Sequence, residues 1–64
     1  MLSFFANTAT LAERVFGDRE KAARWLSKPN EDLASAKPLD LLRSALGARD
    51  VEEELIRIEE GYFA

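Results

Sequence analysis

The groups with the most chemical potential in this 64-residue chain are acids of its second half, Glu52-Glu53-Glu54 and Glu59-Glu60. Clustered carboxylates can hold a hard cation or act as a general acid–base pair. Their spacing argues against both uses. Consecutive helical residues are rotated by about 100°, so Glu52 to Glu54 fan over roughly 200° and do not converge on one ion. Glu59 and Glu60 diverge in the same way and lack a positioned partner. The chain contains no His and no Cys. That removes the commonest general base, the commonest metal ligand, thiolate sites and disulfides together. Ser3, Ser27, Ser35 and Ser44 therefore have no imidazole to activate them. The three glycines read as turn or cap residues, not as a phosphate-binding loop. No enzymatic activity, cofactor or metal is expected.

What remains is recognition. The formal charge is −3, from 9 Lys+Arg and 12 Asp+Glu. Residues 1–32 carry five cations and five anions, and residues 33–64 carry four cations and seven anions, so the excess lies wholly in the second half. An acidic half suits a basic partner or a solvated face. It does not suit nucleic acid, whose binding draws most of its affinity from neutralised phosphates. Only the segment around Arg19, Lys21, Arg24 and Lys28 is basic, against Asp18 and Glu20. No run approaches the ~20 apolar residues of a membrane span, and MLSFFANTA lacks the basic start of a signal peptide. A cytoplasmic, non-membrane protein is expected.

The elements that would position these groups are helices. No alternating β-branched run suggests a strand. Thr10-Leu11-Ala12-Glu13 has the form of a capping box, with a helix start near Asn7 or at Thr10. Leu11, Ala12, Val15 and Phe16 share a face, and Gly17 is placed to end that helix. Asp18 caps a second helix, with Ala22, Ala23 and Leu26 inward and Trp25 as a core anchor on the flank. Pro29 and Asn30 break it, and Leu33 and Ala34 are expected to dip into the core. Pro38 opens a third helix, PLDLLRSAL, closed by Gly47 as a C′ residue. Asp50 opens the last helix in a second capping box with Glu53, placing Glu52 to Glu54 in its first turn. Val51, Leu55, Ile58 and Tyr62 fall within about 60° and form its core stripe, with Tyr62 continuing past the helix end at Gly61. The expected fold is all-α, a small bundle of about four short helices in one domain spanning residues 1–64.

Three features are left over. Ile56 lies roughly 130° from that stripe, among Glu52, Glu59 and Glu60. It is either a lone exposed Ile, which needs no explanation, or part of a partner-binding face. Leu2, Phe4 and Phe5 either extend the first helix over the core or form a self-association patch through which the chain dimerises. The final Tyr62, Phe63 and Ala64 give an apolar ending where a polar tail is usual.

The order of these pieces resembles a family. VFGDREKAARWLSKPNEDLASAKPLDLLRSALGARDVEEELIRIEEGYFA carries a VFG helix end (Val15 to Gly17), KAARWL (Lys21 to Leu26), PN (Pro29, Asn30), KPLDLL (Lys37 to Leu42), Gly47 and a closing LIRIEEG (Leu55 to Gly61). Together they are similar to the C-terminal toxin-binding domain of the Xre/MbcA/ParS antitoxins. The resemblance covers about Leu11 to Ala64. It implies an antitoxin that neutralises a cognate NAD-using toxin, either a RES-domain NAD-degrading enzyme or an ADP-ribosyltransferase-like one. It also implies that the end of the chain sits at the toxin's NAD site. Ile56, Arg57, Glu59, Glu60, Gly61, Tyr62, Phe63 and Ala64 are the expected toxin-contacting residues. In that picture Glu59, Glu60 or an Ala64 carboxylate stands in for the negative charge of NAD, and Tyr62 or Phe63 fills apolar space near its rings. Most members of the family it resembles carry an additional N-terminal DNA-binding helical domain; it is expected to be absent here, and direct DNA binding by this chain alone is not expected. The alternative reading is a small transcription-regulatory or oligomerisation module without toxin-inhibiting activity.

Overall fold

The described residues form four α-helices and one 3-10 turn: α1 (Phe4–Phe16), α2 (Arg19–Ser27), the 3-10 turn Glu31–Leu33, α3 (Pro38–Leu41) and α4 (Ala45–Phe63). The computed structural model describes the backbone of residues 4–63 and the side chains of residues 6–61. Among the described residues there is no strand, only an isolated antiparallel bridge between Asn30 and Ala36.

The α1–α2 corner is built as the sequence predicts. Gly17 takes φ +67°, a left-handed conformation that costs glycine little. Its N–H donates to the Glu13 carbonyl at 2.8 Å, closing α1. The Asp18 carboxylate then accepts the Glu20 N–H at 2.8 Å and caps α2. Asn30 repeats the device, accepting the Asp32 N–H at 2.8 Å at the start of the 3-10 turn. Two consecutive left-handed residues, Ala34 and Ser35, return the chain to the bridge at Ala36. Pro38 is the first residue of α3 and is buried.

The core is small and built largely from small side chains. Ala12, Ala22, Leu26, Leu42, Ala48, Val51 and Leu55 are buried, with Leu11, Val15, Phe16, Trp25, Leu33 and Leu41 packed against them. Three alanines at the centre let helix axes approach closely. α4 is the longest element and packs against α1, α3 and the 3-10 turn, while α2 bridges α1 and α3.

Several boundaries and burials differ from expectation. α1 begins at Phe4, so Thr10 lies inside it and its hydroxyl donates to the Ala6 carbonyl at 3.0 Å instead of capping. The third helix stops at Leu41, and α4 begins at Ala45, before Asp50. Ser44 explains the shift: its Oγ accepts the Gly47 N–H at 3.0 Å and its carbonyl accepts the Ala48 N–H at 2.9 Å, so Ser44 is the cap. Glu52 to Glu54 consequently lie beyond the first turn. Gly47 is no C′ residue. It sits in the first turn of α4, where an added Cβ would overlap the Leu41 carbonyl oxygen and stand 2.8 Å from its carbonyl carbon. Helix α4 also runs through Gly61 to Phe63. Ala23 and Ala34 are exposed; Ala45 and Leu46, expected to end the third helix, instead form the exposed start of α4, with Leu46 75% exposed. Trp25 is half-buried: it lies on the flank of α2 with its ring 5.8 Å from that of Phe16, beside the core and not at its centre. The expectations for the side chains of Leu2, Phe4, Phe5, Tyr62 and Phe63, and for Ala64, fall outside the described residues.

Candidate partner-binding face

Helix α4 has two faces with different duties. Ala48, Val51 and Leu55 are buried, and Ile58 is half-buried along the same side. A helix turns about 100° per residue, so Arg49, Glu53, Ile56, Arg57 and Glu60 lie on the opposite side. All five are exposed. Ile56 is 44% exposed and stands on a surface whose other members are charged. The outward position expected for it is what the structure gives. Glu59 lies at the flank and is half-buried, while Glu60 and Gly61 are exposed. The structure thus brings Ile56, Arg57 and Glu60 onto one outward stripe and sets Glu59 at its margin.

Two ion pairs run along the helix. Arg49 meets Glu53 at 3.5 Å with both side chains exposed, a geometry worth a few tenths of a kcal/mol. Arg57 reaches Glu54 at 3.0 Å, but its side chain stays 71% exposed. The guanidinium can therefore serve its own fold and still meet a partner.

Glu54 is the residue that sequence reasoning missed. It is only 5% exposed, on the edge of the core stripe. Burial pushes its carboxyl above the ordinary value; a hydrogen bond and the negative charge of Asp32 push the same way, and Arg57 partly opposes them. A signal for it existed, since position 54 is three residues after Val51 and four before Ile58, on a shared helical side. Nothing in the sequence paired it with Asp32. A cleft of about 340 Å³ opens beside this cluster, lined also by Leu33, Leu41, Asp50 and Glu53. No group of His, Cys, Asp or Glu capable of holding a metal ion occurs among the described residues. Among the same residues no helix is long and apolar enough to cross a membrane. The outward side of α4 thus offers charged groups and one exposed apolar side chain on a single stripe.

Residues 11–61 match the family model of the antitoxin Xre/MbcA/ParS C-terminal toxin-binding domain. The chain belongs to that family. This antitoxin domain is also 46% identical over 57 residues, 89% of its own length, to the antitoxin Xre of Pseudomonas putida. The aligned stretch spans 36% of that relative's length. No solved structure matches it. The match ends at Gly61 and so takes in most of the outward stripe of α4.

Proposed function

We propose that this antitoxin domain neutralises an NAD-using toxin by setting the outward end of α4 and the residues after it at the toxin's NAD site. The observation that carries this reading is the family match over residues 11–61, whose description is toxin-binding, combined with the exposed acidic end of α4. A site for a dinucleotide pyrophosphate offers Arg, Lys or helix N-termini. Glu60, with Glu59 at its margin, is suited in charge to such a site, and Ile56 and Arg57 extend the contact one turn back. A tail of Tyr62, Phe63 and Ala64 adds apolar rings and a carbonyl or carboxylate end. The mechanism is occupation of the site, and it requires no chemistry from the antitoxin.

Gly61 supports the reading from another side. It lies within α4, and an added Cβ would meet nothing within 4 Å among the described residues. A helical glycine costs about 0.5–1 kcal/mol relative to alanine. Among the described residues nothing packs so closely as to call for a glycine there, whereas a partner backbone pressed against the helix would.

Deleting Tyr62 to Ala64 tests the proposal. The truncated chain should keep its helical circular dichroism and its cooperative unfolding, and should lose inhibition of NAD consumption by the cognate toxin. Full inhibition by the truncated chain would refute placement of the tail in the site.

A further inference from the structure

Helix α2 and the residue that ends it carry a basic face that the proposed toxin contact does not use. Lys21 and Arg24 lie within the helix, and Lys28 is its C-cap. All three are exposed and form no ion pair among the described residues, where the pairs are Arg19–Glu13, Arg49–Glu53 and Arg57–Glu54. Glu20 stands four residues before Arg24, the favourable order for a helical pair, yet the two are not joined. Unpaired surface cations need no explanation one at a time. These three differ in sharing one open groove of about 390 Å³, whose other described lining residues are Phe16 and Trp25. The two rings are 5.8 Å apart and tilted by 47°, and both residues are half-buried, so each keeps an accessible part.

This lining states what it can hold. Three cations with one acid at their margin select an anion, and the rings between them select apolar atoms carried with it. A small molecule needs a site that encloses most of its surface; a chain segment can lie across an open groove. A nucleic-acid strand continues its phosphates in both directions. Here acids bound the basic face on either side, Asp18 and Glu20 before it and Glu31 and Asp32 after it. A short acidic stretch of protein ends before it meets them. Trp and Arg are also the residue types that most often anchor protein interfaces, and the family description gives this domain a protein as its partner.

We propose that this groove docks a short acidic segment of a partner protein, with carboxylates on Lys21, Arg24 and Lys28 and an apolar side chain on the Trp25–Phe16 floor. The contact shares no residue with the outward stripe of α4. It does not depend on where the tail of the chain sits, and it is tested on the chain alone.

Trp25 is the one tryptophan of the chain, so its emission reports directly on the groove. The probe is the blocked peptide EELEELEE, which has no aromatic residue. Titrated into the wild-type chain, it should shift Trp25 emission saturably and move the amide signals of Phe16, Lys21, Arg24 and Trp25, and added salt should weaken it. Lys21→Glu/Lys28→Glu should weaken binding at least tenfold. Lys37→Glu/Arg43→Glu makes the same change in net charge at exposed positions outside the groove, and should weaken it less than threefold. Circular dichroism should show both variants folded. Three results would each overturn the proposal. One is unchanged Trp25 emission and unchanged amides at millimolar peptide. Another is equal weakening by the two double variants, which would reduce the effect to overall charge. The third is tighter binding of an oligothymidylate of equal charge, followed by the same amide signals, which would make the occupant a nucleic acid.

Discussion

At the scale of the residue, Glu54 couples the fold to pH. Its carboxyl is buried, hydrogen-bonded with Asp32 and within reach of Arg57, and its pKa is raised above 4.5, with burial the largest cause. The folded state then holds a proton that the unfolded chain releases at the ordinary value. The native state binds more protons throughout that interval, so stability falls as pH rises from about 4.5 through the raised pKa. The contribution is fully present below 4.5 and is lost above the folded value. Glu54→Gln keeps the shape and can still donate to Asp32 without ionising. Urea midpoints measured across this range should show a flatter pH dependence for Glu54→Gln and a higher midpoint than wild type at neutral pH. An unchanged slope would mean that Glu54 does not titrate differently in the two states.

At the scale of the element, α4 contains two glycines with opposite constraints. Gly47 packs its backbone against the Leu41 carbonyl, leaving no room for a Cβ, whereas Gly61 faces open space among the described residues. Gly47→Ala should force α3 and α4 apart and destabilise by about 1–3 kcal/mol, the usual range for overpacking. Gly61→Ala should be neutral or stabilising by up to about 1 kcal/mol, and chemical denaturation of the two variants side by side would check both signs. The same pair of glycines shows how far the sequence could be read. Periodicity identified the helices and the inward set Val51, Leu55 and Ile58, because a 3.6-residue repeat of apolar side chains is a local signal. Gly17 and Asp18 were legible for the same reason, since each acts on its immediate neighbours. Gly47 was not: a glycine after an apolar run looks like a helix end, and only the approach of Leu41 shows it to be a packing residue. Ser44 was passed over as cap because Asp50 offered the stronger local pattern. The outward position of Ile56 could be read from the wheel, but the Asp32–Glu54 pair joins residues distant in sequence, and no local rule connects them.

At the scale of the whole molecule, the core holds few large side chains. Leu55 and Val51 are the largest fully buried apolar ones in α4, and Ala12, Ala22 and Ala48 fill the space between helices. A chain of this size has little reserve, with net stability of roughly 0.05–0.15 kcal/mol per residue. Leu55→Ala should cost about 2–5 kcal/mol, enough to leave much of the population unfolded at physiological temperature. Thermal melts followed by circular dichroism would measure the loss, and a cooperative transition with an unchanged midpoint would show that Leu55 is not the keystone of packing. Surface changes at Ile56 or Glu60 should leave the melt close to wild type. Val51 and Leu55 point inward while Ile56 and Glu60 point outward, so under the proposed toxin contact this one helix would answer to two separate filters. Substitutions that pass the first, retention of a folded chain, are free to drift or to adapt under the second. A new binding specificity can therefore arise on the outer half of α4 without the inner half being rewritten, and related domains can diverge in what they recognise while keeping the same interior.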